Sequence, residues 1–358
     1  MRTLLIYILL QFTMTCLTAQ NSSEVYRKGW IDFNKNGKKD IYEDPSQSTE
    51  ARIRNLMGQM TLEEKVAQLR GSWPHTNAYI KNGNKVEITN SAKEAYKSTP
   101  LGMTGAVLRA DPWSGVTLEK GLDRRQGAEF INTLHRYFIE NTRLGVPSLV
   151  MDDANHCQHG IGSTMFPSVP NFGLTWNRAL QKEIGRAIAT ELRTEGVTLA
   201  NSPNLDVIRD PRLGRSDHSY GEDPYHVSQM GVAMVKGLQG EKLSSGTSVA
   251  ACIRIFPGVG DMEGGHDFSS GSRGMRVMQE VILAPWKAAV KAGAASLMVE
   301  ACVYDGIPIG GSNYYLKELL RDEWGFKGMT LSDAGTDTDL IKYRTAKGKQ
   351  AVEIQMGS

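Results

Sequence analysis

Short apolar runs alternate with amphipathic segments along most of the chain. The apolar runs predict strands over residues 147–151, 197–200, 249–255, 295–299 and 328–331. Apolar residues at helical spacing predict helices over residues 124–143, 277–292 and 316–324, and two more that begin at the caps Asn177 and Asp223. Short buried strands separated by helices favour a parallel sheet. The number of units, and the lack of an early Gly-rich phosphate loop, favour an α/β fold of the (β/α)8 TIM-like barrel type.

Ionisable residues stand at the carboxyl ends of these predicted strands. They are Asp152, Asp153, Asp206, Arg254, Glu300 and Asp333. In a barrel the carboxyl ends of the strands meet on one face, where barrel enzymes hold their active sites. Charges scattered over a surface would not prefer strand ends. The pattern therefore predicts an enzyme whose site holds several carboxylates and arginines.

One long connection is unusually charged. Residues 201–225 read NSPNLDVIRDPRLGRSDHSYGEDPY and carry eight charged side chains. We expect a non-helical loop between the strand that precedes it and the helix that begins after Asp223. A solvated loop held by Asp–Arg pairs would show the same composition. Because loops on rigid scaffolds commonly carry binding residues, the second interpretation is a functional loop.

Composition and charge narrow the class of protein. The chain has 358 residues, of which 40% are apolar and 22% charged, and its formal net charge is +2. These values are typical of a globular protein, and the absence of basic blocks argues against a nucleic-acid partner. Residues 1–20 resemble a secretory signal, with Arg2 before an apolar core and small residues at 18–19. No later apolar run is long enough for a membrane span. We therefore expect a secreted, periplasmic or cell-surface protein.

A calcium-type loop is predicted near the mature N-terminus, over residues 32–43. It fits the spacing D-x-[DN]-x-[DN]-G-x5-E, with Gly37 at the sharp turn. The predicted ligands are Asp32, Asn34, Asn36, the Lys38 carbonyl, Asp40 and Glu43. Flanking helices are not evident, so the ion would be structural; the alternative is a polar turn with this spacing by chance.

The predicted organisation is a signal peptide over 1–20, an N-terminal segment over 21–50 and a barrel over 51–358.

The strand-end charges suit glycoside hydrolysis better than metal chemistry. Carboxylates among hydrogen-bond donors recognise sugar hydroxyls, and a retaining glycosidase needs a carboxylate nucleophile. Asp333, which follows an apolar strand, is the candidate nucleophile, although an Asp there can also be a helix cap. His156, Cys157 and His159 are metal-ligand types, but their spacing does not match a closed zinc site. The three cysteines after the signal, Cys157, Cys252 and Cys302, are too widely spaced to predict a disulfide framework.

At these residues the chain resembles glycoside hydrolase family 3, the β-glucosidase and β-xylosidase group. The resemblance runs from about residue 60 to the end. The matching segments are residues 60–65, 143–147, 153–154, 166–177, 210–215, 220–224, 324–328 and 331–333. The calcium-type loop and residues 343–346 are similar to a subgroup common in Bacteroidetes.

The resemblance implies roles for individual residues. Asp333 would be the nucleophile, Asp153 and Arg215 would bind hydroxyls of the terminal sugar, and a non-reducing-end β-linked glucose or xylose would be removed with retention. Arg254-Ile255 stands where the family has a Lys-His pair, and Ala301 where it has a tyrosine that supports the nucleophile. We place Arg254 and Glu300 in the substrate site. Glu300 is also a candidate acid/base group, because of its strand-end position alone.

Two alternatives stay open. Residues 253–261, IRIFPGVGD, followed by His266, are similar to a segment of single-domain relatives that cleave β-N-acetylhexosaminides, in which His266 would be the acid/base group. The departures from the family pattern equally allow a catalytically impaired sugar-binding paralogue or a truncated enzyme. In most relatives a following domain supplies the acid/base carboxylate, so we expect a second domain or chain to supply it here. No cofactor for catalysis is expected.

Overall fold

The computed structural model describes residues 25–266 and 269–333. The predicted signal peptide and residues 343–346 lie outside the described residues. Two compact units divide the chain. The first comprises Met1–Arg70, Asn90–Gly102 and Leu134–Ser148, and the second comprises Gly71–Thr89, Met103–Thr133 and Leu149–Ser358. Within the described ranges, no helix has the length and apolar character needed to cross a membrane.

The first unit contains the predicted calcium-type loop and small helices. An antiparallel hairpin of β1 (Tyr26–Arg27) and β2 (Trp30–Ile31) leads into the loop, which a 3-10 turn (Ile41–Glu43) closes. The helices are α1 (Thr49–Gln59), α2 (Leu62–Gln68) and α3 (Asn90–Ser98), together with the second half of α4 (Arg124–Asn141). Thr61 and Glu64 form a capping box at the start of α2.

The second unit is built around a parallel sheet. The strand order is β14, β11, β9, β8, β7, β6, β3, and every neighbouring pair in it is parallel. These strands are β3 (Gly71–Ser72), β6 (Met103–Gly105), β7 (Leu149–Asp153), β8 (Leu199–Asn204), β9 (Ala250–Phe256), β11 (Ser296–Val299) and β14 (Met329–Ser332). Smaller strands are β4 (Tyr79–Asn82), β5 (Lys85–Ile88), β10 (Ser270–Gly271), β12 (Val303–Tyr304) and β13 (Ile307–Pro308). The predicted α/β, TIM-like architecture is thus confirmed.

Helices connect the main strands. They are α5 (Val169–Leu174), α6 (Arg178–Thr194), α7 (Pro224–Gln239), α8 (Met275–Val277) and α9 (Ala284–Lys291), with π-helices at Met278–Ile282 and Tyr314–Glu323 and 3-10 turns at His75–Ala78, Ser216–His218, Glu263–Gly265 and Ile309–Gly311. The caps at Asn177 and Asp223 are confirmed, because their side chains accept from the backbone N–H groups of Leu180 and His226. Pro285 lies at the start of α9, since it lacks the N–H that a continuous helix needs.

The prediction that the charged loop begins at residue 201 is wrong. The strand β8 continues through Asn204, and all of its residues are buried. Asn201 is tolerated there because its amide donates to the buried carboxylate of Asp153 on the neighbouring strand β7. The loop itself is also anchored: Val207 and Tyr220 pack in a core with Val169, Phe172, Val227 and Met230 of α5 and α7. The loop is therefore held in place by packing as well as by its charges.

Candidate active site

Asp153, the last residue of β7, is the centre of a buried charge cluster. Its Oδ1 accepts hydrogen bonds from Asn201 Nδ2 and Arg254 Nη1, each at 2.7 Å, and its Oδ2 accepts from Arg109 Nη1. Asn201 lies on β8 and Arg254 on β9, so the ends of three successive strands converge on one carboxylate. The carboxylate is 3% exposed. The predicted meeting of Asp153 and Arg254 is present in the structure.

Asp152 and Asp153 are adjacent in sequence but have opposite ionisation. Burial raises the pKa of Asp153, yet the charges of Arg254 and Arg109 outweigh burial, and the resulting pKa is below the ordinary value. Asp152 is buried and has no comparable partner among the residues that the structure describes, and burial followed by the charge of Asp153 raises its pKa to about 8. At neutral pH Asp153 is therefore ionised and Asp152 carries a proton.

Arg109 extends the cluster to the loop after β6, which sequence reasoning missed. Besides Asp153, its guanidinium makes a forked pair with Asp111, at distances of 2.8 to 3.1 Å. His159 Nδ1 lies 2.9 Å from Asp111 Oδ2. The indole of Trp113 lies under the guanidinium, 4.3 Å from ring centroid to Cζ, and is 73% exposed. An exposed aromatic ring beside the carboxylates that Arg109 holds is a surface on which a sugar ring can stack.

Asp333 and Glu300 stand at adjacent strand ends. Ser332 pairs with Val299 in the sheet, and the Asp333 N–H continues that ladder by donating to the Val299 carbonyl at 2.8 Å. Glu300 follows Val299, is fully buried, and accepts from the Ala301 N–H at 3.1 Å. Asp333 is half-buried. The sheet thus presents both carboxylates at its carboxyl edge, as predicted.

The electrostatics of Cys252 link Asp333 to the Asp153 cluster. Burial raises the pKa of this thiol on β9 to about 12. Among the smaller influences are the charges of Arg254, Asp333 and Asp153. Arg254, Asp333 and Asp153 are therefore close enough to Cys252 for their charges to act on its thiol.

The charged loop supplies Arg215 and His218. His218 Nδ1 lies 3.4 Å from Asn204 Nδ2, and burial lowers the pKa of its imidazole to about 4, so the ring is neutral at ordinary pH. Arg215 is half-buried, and its charge acts on His218 and on Asp206. Asp206 Oδ1 accepts from the Val259 N–H at 2.6 Å and so ties this loop to the one after β9.

Other candidates are paired with arginines or are exposed. Asp210 pairs with Arg212 at the surface, and Asp261 pairs with Arg273. Each of these carboxylates is therefore already engaged by an arginine. His266 is exposed after the 3-10 turn at Glu263–Gly265. The sequence pattern did not predict a role for Arg109, Asn201 or His218. Their position at or just beyond strand ends was the available signal, but β6 reads Met-Thr-Gly and shows no apolar run.

The calcium-type loop folds into a tight polar turn. The Asp32 carboxylate accepts from the N–H groups of Asn36 and Gly37, and the Glu43 carboxylate accepts from those of Asn34 and Asp40. Both carboxylates are buried. Gly37 has a φ of 77°, which the sharp turn requires. This arrangement fits the oxygen donors that calcium prefers, and it is also compatible with a polar turn.

Comparison with known proteins establishes the family. Residues 61–356 match the Glycosyl hydrolase family 3 N terminal domain. The chain belongs to glycosyl hydrolase family 3. A periplasmic β-glucosidase of Salmonella typhimurium is 32% identical over 84% of the chain and 35% of its own length. A β-xylosidase of Formosa agariphila is 39% identical over 54% of the chain and 28% of its own length, and it fits the Bacteroidetes-type subgroup.

Solved structures agree with the fold. A β-glucosidase from Listeria innocua in complex with glucose superposes with a TM-score of 0.71 at 27% identity, over 87% of this chain and 41% of that protein. A β-glucosidase from Erythrobacter marinus gives 0.73 at 28% identity, over 88% of this chain and 40% of that protein. The chain thus spans less than half the length of these relatives.

Proposed function

We propose that this chain is the sugar-binding and nucleophile-bearing part of an exo-acting, retaining β-glycosidase. Its substrate would be a non-reducing-end β-linked glucose or xylose. The observation that carries the proposal is the ionised Asp153, fixed by Arg254, Arg109 and Asn201 at the carboxyl edge of the sheet. Relatives named β-glucosidase and β-xylosidase support the choice of sugar class.

Each residue has a distinct task in the proposed reaction. Asp153 accepts hydrogen bonds from hydroxyls of the terminal sugar, and Arg215 and neutral His218 provide further polar contacts at the same edge. The Asp333 carboxylate attacks the anomeric carbon as the bond to the leaving oxygen breaks, which forms a glycosyl ester. The leaving oxygen takes a proton from an acid, and a water molecule later hydrolyses the ester and regenerates the carboxylate.

Two sources of the acid/base group compete in this mechanism. Glu300 is at the right strand edge but is fully buried and accepts from its neighbouring backbone amide. A carboxylate from a second domain or chain, as the resemblance implies, is the competing source. Glu300→Gln separates the two, because it removes the proton while preserving the shape. Unchanged turnover would assign the acid to another source.

A panel of activated aryl β-glycosides tests the function. We expect release of the aryl group from the glucoside or xyloside, with little from the N-acetylglucosaminide, because activated leaving groups need little acid assistance. Asp333→Asn should abolish release. Asp322→Asn is the matched control, since Asp322 is an exposed partner of Lys317. Turnover of the N-acetylglucosaminide alone would favour the acetylhexosaminidase alternative. No release from any sugar by the folded protein would favour a sugar-binding paralogue.

We also propose a structural calcium ion in the 32–43 loop and export of the chain. The buried Asp32 and Glu43 carboxylates support the first proposal, and the signal-like N-terminus and a relative named periplasmic support the second. Calcium should raise the melting temperature of the chelator-treated chain, because a ligand that binds the folded state stabilises it. Glu43→Gln should remove this rise. No rise with calcium would indicate the polar turn.

A further inference from the structure

Three metal-ligand side chains converge in the loop after β7. They are His156, Cys157 and His159, and one potential ligand atom of each lies within 4.8 Å of those of the other two. The two imidazole rings face each other edge to face, with centroids 5.6 Å apart. The sequence spacing of these residues does not match a closed zinc site. The folded loop nevertheless brings it together.

The hydrogen bonds of the two histidines leave the same nitrogen of each ring available. His156 Nδ1 lies 3.0 Å from the Phe166 carbonyl, which can only accept, so Nδ1 carries the proton. His159 Nδ1 is held in the same way by the Asp111 carboxylate at 2.9 Å. The Nε2 atom of His159 is buried and has no hydrogen-bond partner among the residues that the structure describes. Carbonyl and carboxylate partners on the far nitrogen are characteristic of metal-binding histidines.

The sulfur atoms make the donor set soft. Cys157 is 1% exposed, and its Sγ lies 3.5 Å from the Sδ atom of Met165. Two imidazole nitrogens and a thiolate, with a thioether nearby, are donors that zinc(II) and copper(I) accept and that calcium and magnesium do not. Met165 is mostly exposed, so the group has a side that faces solvent.

We propose that His156, Cys157 and His159 bind a thiophilic metal ion, zinc(II) or copper(I), through two imidazole Nε2 atoms and one thiolate, with Met165 beside the fourth position. Binding forms a metal–sulfur bond and releases the thiol proton to solvent. The alternative is purely structural: His156 anchors the loop backbone, and Cys157 fills the core. Only the metal site requires all three side chains at once.

Metal binding is measured without any glycoside, so its outcome does not depend on the proposed activity. The full chain is treated with a chelator and titrated separately with zinc(II), with copper(I) under anaerobic conditions, and with cobalt(II) as a spectroscopic substitute. We expect one ion per chain to be retained after dialysis, and a thiolate-to-cobalt charge-transfer band. The zinc and copper(I) arms, each read against a competing chromophoric chelator, identify the preferred ion.

Variants separate the site from adventitious binding. Cys157→Ser should abolish the charge-transfer band, and His156→Gln and His159→Gln should each weaken retention by at least about tenfold. Cys252→Ala removes a buried cysteine elsewhere and should leave binding unchanged. Circular dichroism establishes that each variant is folded. The proposal would be overturned if the folded wild-type chain retained neither ion. It would also be overturned if Cys157→Ser and His156→Gln retained the ion as well as the wild-type chain does.

Discussion

At the scale of single residues, the charge state of neighbouring groups is set by their partners rather than by their identity. Asp152 and Asp153 have the same side chain and similar burial. Two guanidinium groups keep Asp153 ionised, whereas burial and the adjacent negative charge keep Asp152 protonated. One carboxyl group is therefore a charged member of the candidate site, and the other is a neutral member of the core.

Asp153→Asn tests the charge cluster. The change leaves the buried Arg254 and Arg109 guanidinium groups without their shared anion, so we expect a loss of about 3 kcal/mol in the free energy of unfolding. Denaturant melts measure it, and aryl-glycoside assays on the folded variant should show loss of turnover. Asp322→Asn should leave both unchanged. An equally stable and active Asp153→Asn protein would contradict the assigned role.

Asp152→Asn tests the protonated carboxyl through the pH dependence of stability. Folding raises the pKa of Asp152 to about 8. The contribution of this protonated carboxyl to the free energy of unfolding is therefore complete below the unfolded pKa of about 4 and is lost as pH rises through about 8. Asparagine cannot ionise. Melting temperatures should therefore match at about pH 4, and the variant should be the more stable protein at about pH 9. Parallel profiles for the two proteins would show that Asp152 is not the group responsible.

At the scale of elements, the loops after β8 and β9 are held together at close range. The Gly260 carbonyl accepts from the N–H groups of Arg209 and Asp210, and Asp206 accepts from the Val259 N–H. A Cβ at Gly260 would lie 2.3 Å from the Val207 carbonyl oxygen. A glycine is needed there because the two backbones leave no room for a side chain.

Gly260→Ala tests this contact. The added methyl group must push the loops apart, so we expect a destabilisation of about 2 kcal/mol and reduced glycoside turnover. Gly274→Ala is the matched control, because a Cβ there meets nothing within 4 Å and the backbone φ is −59°. Melts and kinetics of the two variants decide the matter. Equal stability and turnover of Gly260→Ala and Gly274→Ala would mean that the two loops can move apart without cost.

The same elements show what the sequence could and could not predict. Apolar runs and caps identified β7, β8, β9, β11 and β14 and the starts of α6 and α7, because burial and capping act locally. The short strands β3 and β6 were missed, since two or three residues give no period. The end of β8 was missed because Asn201 is a polar residue whose burial depends on its hydrogen bond to Asp153. A partner so distant in the sequence leaves no signal in the local pattern of residues.

At the scale of the whole molecule, the described site has a candidate binding carboxylate and a candidate nucleophile, and two sources compete for its acid. This has a kinetic consequence. If the acid is not supplied by this chain, its rate should depend steeply on the leaving group, because only poor leaving groups need protonation. Dinitrophenyl glycosides should then be cleaved far faster than nitrophenyl or alkyl glycosides. Similar rates across the series would indicate that this chain holds its own acid.

The covalent intermediate on Asp333 is the central claim, and trapping tests it most directly. In an activated 2-deoxy-2-fluoro glycoside the fluorine slows both formation and hydrolysis of the glycosyl ester, whereas the activated leaving group speeds formation alone, so the ester accumulates. Mass spectrometry of the intact chain and of its peptides should find one added fluoroglycosyl group, located on Asp333 and absent from Asp333→Asn. Label on a different carboxylate, or no label in a folded chain that turns over the parent glycoside, would contradict the account.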